Sequence, residues 1–382
     1  GGIVDPGTSG VGTLTAGNLT LDPGAILRFS IPSSGVVQVN NEFTTASTGS
    51  NVVKVVTVPA PGTYTLVRYS DTIWGGGFPA LTLNPLPHGV TGTLIHNNSG
   101  ADKSVDLNVV VGSSAYITWT GSNGPAWDID TTTNWLYLGS PSTYLDGDYT
   151  LFNDTPGSNY TVTLNTVVLP SSVRFSNDTY SATISGAGGI SGPGAVWKYG
   201  TSTATVTTAN SYAGGTYLAN GTLVFANGAL GSGAITFTNN ATLRWAEGNS
   251  QDISSKLQPI GSENTATLDI GNNAVTLVNS IPGAGGIVKA GAGALTLSGA
   301  NTFTGPLTIS SGTLKLGAAG GGVNGPLGTI DSGTTVSGTD AALDLNGFSL
   351  ATAEPLTLNG TGIATNGALL NSSSVAASYS TS

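Results

Sequence analysis

The sequence has no cysteine and no methionine, and only 8% of its 382 residues are charged. Each shortage excludes something. Without cysteine there are no disulfides and no thiolate metal sites, so the chain must be held by its core and its backbone hydrogen bonds. The ten lysines and arginines are scattered singly, as at Arg28, Lys54, Lys103, Arg174 and Lys256, in a chain of net charge −10. No basic run or face could neutralise a row of phosphates, which argues against nucleic acid as a partner, and the acidic balance equally disfavours an anionic membrane. No apolar run approaches the ~18 residues that a spanning helix needs, so no membrane insertion of these residues is expected. Helix signals are also scarce: there is no sustained 3.6-residue period, and helix-weak Gly and Thr fill most windows.

What is present in quantity is glycine, at 57 residues, beside an apolar share of 38%. That apolar share is enough to bury a core, which separates the chain from a disordered one. Short stretches alternate apolar with polar: Leu19-Thr20-Leu21, Leu295-Thr296-Leu297, Leu307-Thr308-Ile309, Leu314-Lys315-Leu316 and Leu343-Asp344-Leu345. A period of two means a strand with one buried face. Turn signals such as Asn220-Gly221 and Ser310-Ser311-Gly312 separate them, with glycine supplying the positive φ that tight turns require. The chain is expected to be all-β.

A sandwich, a barrel or a solenoid would each satisfy short strands with frequent turns. Repeats decide between them. At an offset of 91 residues, Lys198, Gly200, Asn210, Tyr212, Gly214, Leu218, Gly221, Thr222 and Leu223 fall on Lys289, Gly291, Asn301, Phe303, Gly305, Ile309, Gly312, Thr313 and Leu314. Ala229-Leu230-Gly231 then echoes Pro326-Leu327-Gly328 after a short insertion. Units this much longer than a hairpin, with stackable aliphatic and small residues at inward positions, fit a parallel β-helix, or β-solenoid, of roughly 20 residues per coil.

The string from Gly291 to Gly317 resembles the passenger-associated, autotransporter β-strand repeat, whose hallmark is Lys-Gly-x-Gly-x-Leu-Thr-Leu followed by Asn-x-aromatic-x-Gly and Gly-x-Leu, and residues 198–225 resemble a second copy in which Ala204-Thr205-Val206 replaces Leu-Thr-Leu. The stretch from Tyr116 to Asp154 is similar to what precedes these repeats in large exported bacterial proteins, and Pro61-Gly62-Thr63-Tyr64-Thr65-Leu66 resembles the coil that ends an upstream unit. The resemblance implies consecutive coils of a right-handed parallel β-helix in a secreted passenger, located outside the cell or on the bacterial surface. It does not bring the membrane barrel of an autotransporter.

Three stretches are expected: an N-terminal solenoid segment over 1–112, a Trp- and Asp-rich β segment over 113–185 continuous with it, and the repeats over 186–382, with copies near 198–225 and 287–317. The chain opens on Gly1-Gly2 without an initiator Met and stops at Thr381-Ser382 inside what reads as a repeat. It is therefore expected to be a segment of a longer polypeptide, open at its C-terminus, whose partners are further copies or more of the same chain.

Candidate chemistry is thin. Asp146 and Asp148 alternate around Gly147 and are candidate Ca²⁺ ligands or an acid-base pair, as are Asp128 and Asp130, but Asp-Gly punctuation also simply makes turns. A polysaccharide lyase groove also needs Lys or Arg against the substrate's acid, and none is near either pair. His88 and His96 lie in a Pro-, Gly- and Asn-rich segment with no metal-ligand spacing around them, and are expected to be exposed loop residues. No Gly-x-Ser-x-Gly elbow and no phosphate-binding loop occurs. Trp74, Trp119, Trp127 and Trp135 cluster in the first third, and aromatic faces bind sugars by stacking. Trp119, Trp127 and Trp135 are taken as candidate contacts to a glycan or protein; the competing reading is core packing.

Three functions compete: a structural or scaffold rod such as a stalk, sheath or filament; a carbohydrate-binding adhesin module that uses the Trp-rich segment; and a polysaccharide-degrading enzyme. With no catalytic constellation in view, the expectation is the scaffold, without enzymatic activity and without a cofactor other than a candidate Ca²⁺.

Overall fold

The computed structural model describes residues 1–7, 12–31, 35–56, 60–112, 115–331, 333–351 and 354–379. Among them the fold is all-β, a solenoid of stacked parallel strands with three short 3-10 turns at Phe78–Ala80, Ser254–Lys256 and Ile363–Thr365. Two compact units emerge. One comprises Gly1–Ile117 with Tyr137–Tyr149, the other Thr118–Leu136 with Thr150–Ser382.

In the first unit each coil lays one strand on each of three parallel sheets. Ile3–Val4, Ile26–Phe29, Asn51–Val55 and Leu81–Leu83 form one; Thr13–Ala16, Val36–Val39 and Gly62–Tyr69 belong to the second; Leu19–Thr20, Phe43–Thr45 and Ile73–Gly75 form the third. The period-two pattern sets what is buried: Leu27 and Phe29, Val37 and Val39, and Phe43 point inward and form one core with Leu66, Val67 and Leu107. The parallel stacking then stops on the second sheet. Lys103–Val111 pairs antiparallel with Gly62–Tyr69, and Val90–Asn97 pairs antiparallel with Lys103–Val111. A hairpin thus covers the edge that Gly62–Tyr69 would otherwise present, which is how natural sheets limit unpaired ladders.

In the second unit ten strands stack in parallel, from Tyr160–Thr163 through Ala182–Ser185, Thr203–Val206, Thr222–Phe225, Ala241–Trp245, Thr265–Asp269, Gly286–Ala290, Leu307–Ile309 and Thr334–Val336 to Leu356–Leu358. Thr203 pairs with Thr222, Thr222 with Thr242, and Ile287 with Leu307, so each coil returns after about 20 residues. The two sequence repeats do not use the same sheets. Thr203–Val206 lies in the ten-stranded sheet, whereas its counterpart Ala294–Leu297 lies in another sheet, between Ala274–Leu277 and Gly312–Leu316. Between the copies comes a longer coil, in which Ala241 pairs with Ala266 around the Ser254–Lys256 turn, and the further sheet begins after it at Ala274–Leu277.

The motif positions acquire physical reasons. Lys289 is fully buried, and its Nζ donates to the carbonyls of Gly291 at 2.5 Å, Gly293 at 2.8 Å and Ser311 at 2.6 Å, binding two consecutive coils. Lys198 does the same with Gly200 and, at 3.3 Å, Asn220. Burial pulls both ammonium groups down to about 8, from 10.5, with Asp269 and Asp178 acting in the opposite direction. The next coil must leave room for the lysine tip. A Cβ on Gly312 would sit 2.4 Å from Lys289 Nζ and one on Gly221 2.7 Å from Lys198 Nζ, at φ of 67° and 62°.

The motif asparagines staple in both directions. Asn301 accepts from the Ile281 N–H and donates to the Pro326 carbonyl; Asn210 accepts from Ile190 and donates to Ala229. The motif aromatics, Tyr212 and Phe303, are buried beneath Gly231 and Gly328, where an added Cβ would come within 2.8 Å and 2.5 Å of the ring below. The two Leu-Gly echoes read in the sequence are therefore the roofs over the two rings, kept in place across an insertion.

Candidate functional site

The residues singled out for binding are placed in two different environments. Trp119, Trp127 and Trp135 are each 1% exposed, in the second unit's core. Trp119 meets Trp135 edge-on at 5.0 Å, Trp127 meets Trp135 at 5.4 Å, and Phe152 packs against all three before stacking on Phe175 at 5.3 Å. Tilted and edge-to-face pairs at these distances contribute about 0.5–1.5 kcal/mol each beyond their buried area. The ring faces that a sugar would need are occupied by neighbouring rings.

Asp148 is buried in the first unit and Asp146 is half-buried. Asp148 accepts from the Leu145 N–H at 2.8 Å and from the His88 N–H at 2.7 Å, while Asp146 accepts from the Tyr144 hydroxyl at 3.1 Å. The two carboxylates are thus committed to different partners, and among the described residues no three or more His, Cys, Asp and Glu side chains converge as a metal cluster would. Asp128 closes a turn by accepting from the Thr132 N–H and hydroxyl.

The histidines correct the expectation of exposed loop residues. His96 lies on the strand Val90–Asn97, 2.5 Å from the Tyr69 hydroxyl and stacked on Phe78 at 4.8 Å, and burial lowers its pKa. His88 has a side chain only 15% exposed, drawn in by the carboxylate of Asp148, 60 residues away, with Nδ1 at 2.9 Å from Oδ2. Neither partner is a sequence neighbour, so spacing gave no sign of them.

One tryptophan of the same cluster is exposed. On the strand Ile73–Gly75, Ile73 points into the core and Trp74 out, with 51% of its surface in solvent. Gly75 and Gly76 allow this strand to approach the coil beneath, since a Cβ on either would lie within 2.2 Å of the Thr45 or Ala46 carbonyl. Beside Trp74 the corners of three successive coils form an open groove of about 630 Å³, lined by Asn18, Asn40, Asn41, Glu42, Ser70 and Asp71. Coil-to-coil hydrogen bonds fix these corners: Glu42 N–H to Asn18 Oδ1 at 3.2 Å, Asn41 N–H to the Gly17 carbonyl at 2.7 Å, and Ser70 Oγ to the Asn40 carbonyl at 2.7 Å. The groove offers planar amides, a hydroxyl and two carboxylates next to one exposed indole; among the described residues no lysine or arginine is part of its lining, and the Lys103 ammonium is engaged by the Asp71 carbonyl.

Comparison with known proteins agrees with this architecture. The family model of the passenger-associated-transport-repeat matches residues 198–225 and 287–316, so the chain carries two such repeats. Among curated proteins it is similar to the adhesin BmaC autotransporter of Brucella suis biovar 1 (strain 1330), with 26% identity over 393 residues that cover 88% of this chain. The chain spans 11% of that relative's length. No solved structure matches.

Proposed function

We propose that this chain is part of a secreted, surface-located passenger of adhesin type, in which the repeat solenoid is the scaffold and the first unit makes the contact with an extracellular glycan. The observation that carries the reading is the groove beside Trp74. An exposed indole supplies an apolar face for a pyranose ring, and the flanking amides and carboxylates of Asn18, Asn40, Asn41, Glu42 and Asp71 supply hydrogen bonds to ring hydroxyls. Two carboxylates without a lining cation favour an uncharged sugar over a sialylated or uronic one. The likeness to an adhesin over most of this chain supports the same reading. The repeats supply the scaffold, and their partners are further coils of the same chain or further copies; no reaction is assigned to them.

The test is a glycan array probed with the intact chain and with Trp74→Ala. Binding confined to neutral glycans and lost in Trp74→Ala is the expected result. A hit unaffected by Trp74→Ala, or a preference for anionic glycans, rules out this groove. Adhesion of cells displaying the chain, measured in parallel on glycan-free protein surfaces, tells whether the adhesin role survives without it.

A further inference from the structure

The interactions around His88 extend beyond its contact with the buried Asp148 carboxylate. The carboxylate of Asp148 reaches His88 Nδ1 at 2.9 and 3.0 Å, and on the far side of the ring His88 Nε2 lies 2.8 Å from Ser142 Oγ. All three residues belong to the first unit. Asp148 is held rigidly by two backbone N–H donors, its side chain excluded from solvent, while the His88 side chain keeps 15% exposure and Ser142 is partly exposed. Ser142 ends the short strand Ser140–Ser142, which follows a tight turn at Leu138-Gly139 with φ of 50° and 83°. Tyr137, just before that turn, packs its ring on the imidazole at 4.5 Å and limits its rotation.

We infer that Ser142, His88 and Asp148 form a hydrolytic site for esters of small carboxylic acids, a function beyond the adhesive reading and independent of it. A carboxylate can only accept, so Asp148 fixes the imidazole proton on Nδ1 and leaves Nε2 with a lone pair toward the Ser142 hydroxyl. Nucleophile, base and orienting group are thus connected in sequence at hydrogen-bonding distances, the arrangement that activates a serine. In the first step Ser142 Oγ bonds to the ester carbonyl carbon while its proton passes to His88 Nε2. As the carbonyl re-forms, the carbon–oxygen bond to the alcohol breaks and Nε2 gives that proton to the leaving oxygen. Water then attacks the acyl-serine, giving up one proton to Nε2, and the proton returns to Ser142 Oγ as the carboxylic acid departs. Asp148 is a positioning residue throughout. A sequence reading had no access to this site, since Ser142 lies 54 residues from His88 and outside any Gly-x-Ser-x-Gly context.

The experiment is covalent labelling of the intact chain with a fluorophosphonate probe, located by peptide mass spectrometry, together with hydrolysis of p-nitrophenyl acetate. The expected result is an adduct on Ser142 that is absent in Ser142→Ala, and a rate that falls about 10²- to 10⁴-fold in His88→Gln. Asp148→Asn should shift the His88 proton from Nδ1 to Nε2, visible in the imidazole ¹⁵N resonances even where activity is too low to measure. The Ser142→Ala chain loses only a hydroxyl, so its circular dichroism should be unchanged and a folding defect would not explain its silence. Absence of a Ser142 adduct on the folded chain, or labelling that His88→Gln leaves untouched, overturns the inference.

Discussion

The motif residues of the repeat unit and the residues around His88 in the first unit use buried polar side chains in opposite ways. In the repeat unit, Lys198, Lys289, Asn210 and Asn301 direct most of their hydrogen bonds to backbone groups of their own and adjoining coils, which holds one turn to the next. In the N-terminal unit, Asp148, His88 and Ser142 bond chiefly to one another across non-repeating loops, and the groove amides face solvent. The difference teaches where chemistry is available. A side chain committed to the backbone of a repeat stabilises the stack, whereas a chain of side chains that ends at a partly exposed serine, or an indole turned outward, leaves a group free to meet a ligand.

That contrast can be broken most strongly at Lys289. In Lys289→Met the carbonyls of Gly291 and Ser311 lose their donor inside the core while that of Gly293 keeps the Thr313 N–H, and at about 1–3 kcal/mol for each unsatisfied group a total loss of roughly 2–6 kcal/mol is expected. Urea denaturation followed by tryptophan fluorescence measures it, and a loss below about 1 kcal/mol would show that the lysine is a passenger in the motif. Gly328→Ala comes next. A methyl at φ of 104° and 2.5 Å from the Phe303 ring combines backbone strain with overpacking, for about 2–4 kcal/mol.

A smaller effect comes from pH. With Lys198 and Lys289 lowered to about 8 by burial, the unfolded chain keeps protons above that pH that the folded chain has released. Stability should therefore rise from pH 8 toward 10. Above 10 it should turn down, because burial pushes Tyr160 and Tyr212 up and the unfolded chain ionises them first. Urea midpoints at pH 7.5, 9 and 10 read the slope, and Lys289→Met should reduce it. The smallest stability change is expected at the groove. Trp74→Ala removes an outward ring and should alter the denaturation midpoint by no more than about 0.5 kcal/mol while abolishing glycan binding. A large stability loss there would make Trp74 a structural residue and erase the functional contrast between the units.

Most of the repeat unit was legible from residues alone. Alternation in Leu295-Thr296-Leu297 predicts an inward Leu on each side of an outward Thr, and this is the burial found. The Lys, Asn, aromatic and Gly positions that recur at an offset of 91 are those whose contacts recur from one copy to the other. Less was legible in the first unit, where coils differ in length and a hairpin interrupts the stack. The tryptophans show the limit: four cluster in sequence, three fill a core and one stands in solvent, because exposure follows from strand register and from what the next coil lays on top. The histidines show it again, since their partners arrive from distant segments.

The sequence by itself determined an all-β chain of stacked coils, because alternation, turn glycines and a repeating offset are local or periodic signals written into consecutive residues. Tertiary structure alone decided which indole faces water, which carboxylate holds which imidazole, and which hydroxyl that imidazole meets. These are matters of side chains far apart in sequence approaching to within 3 Å, and no spacing along the chain encodes such a distance before the coils have closed.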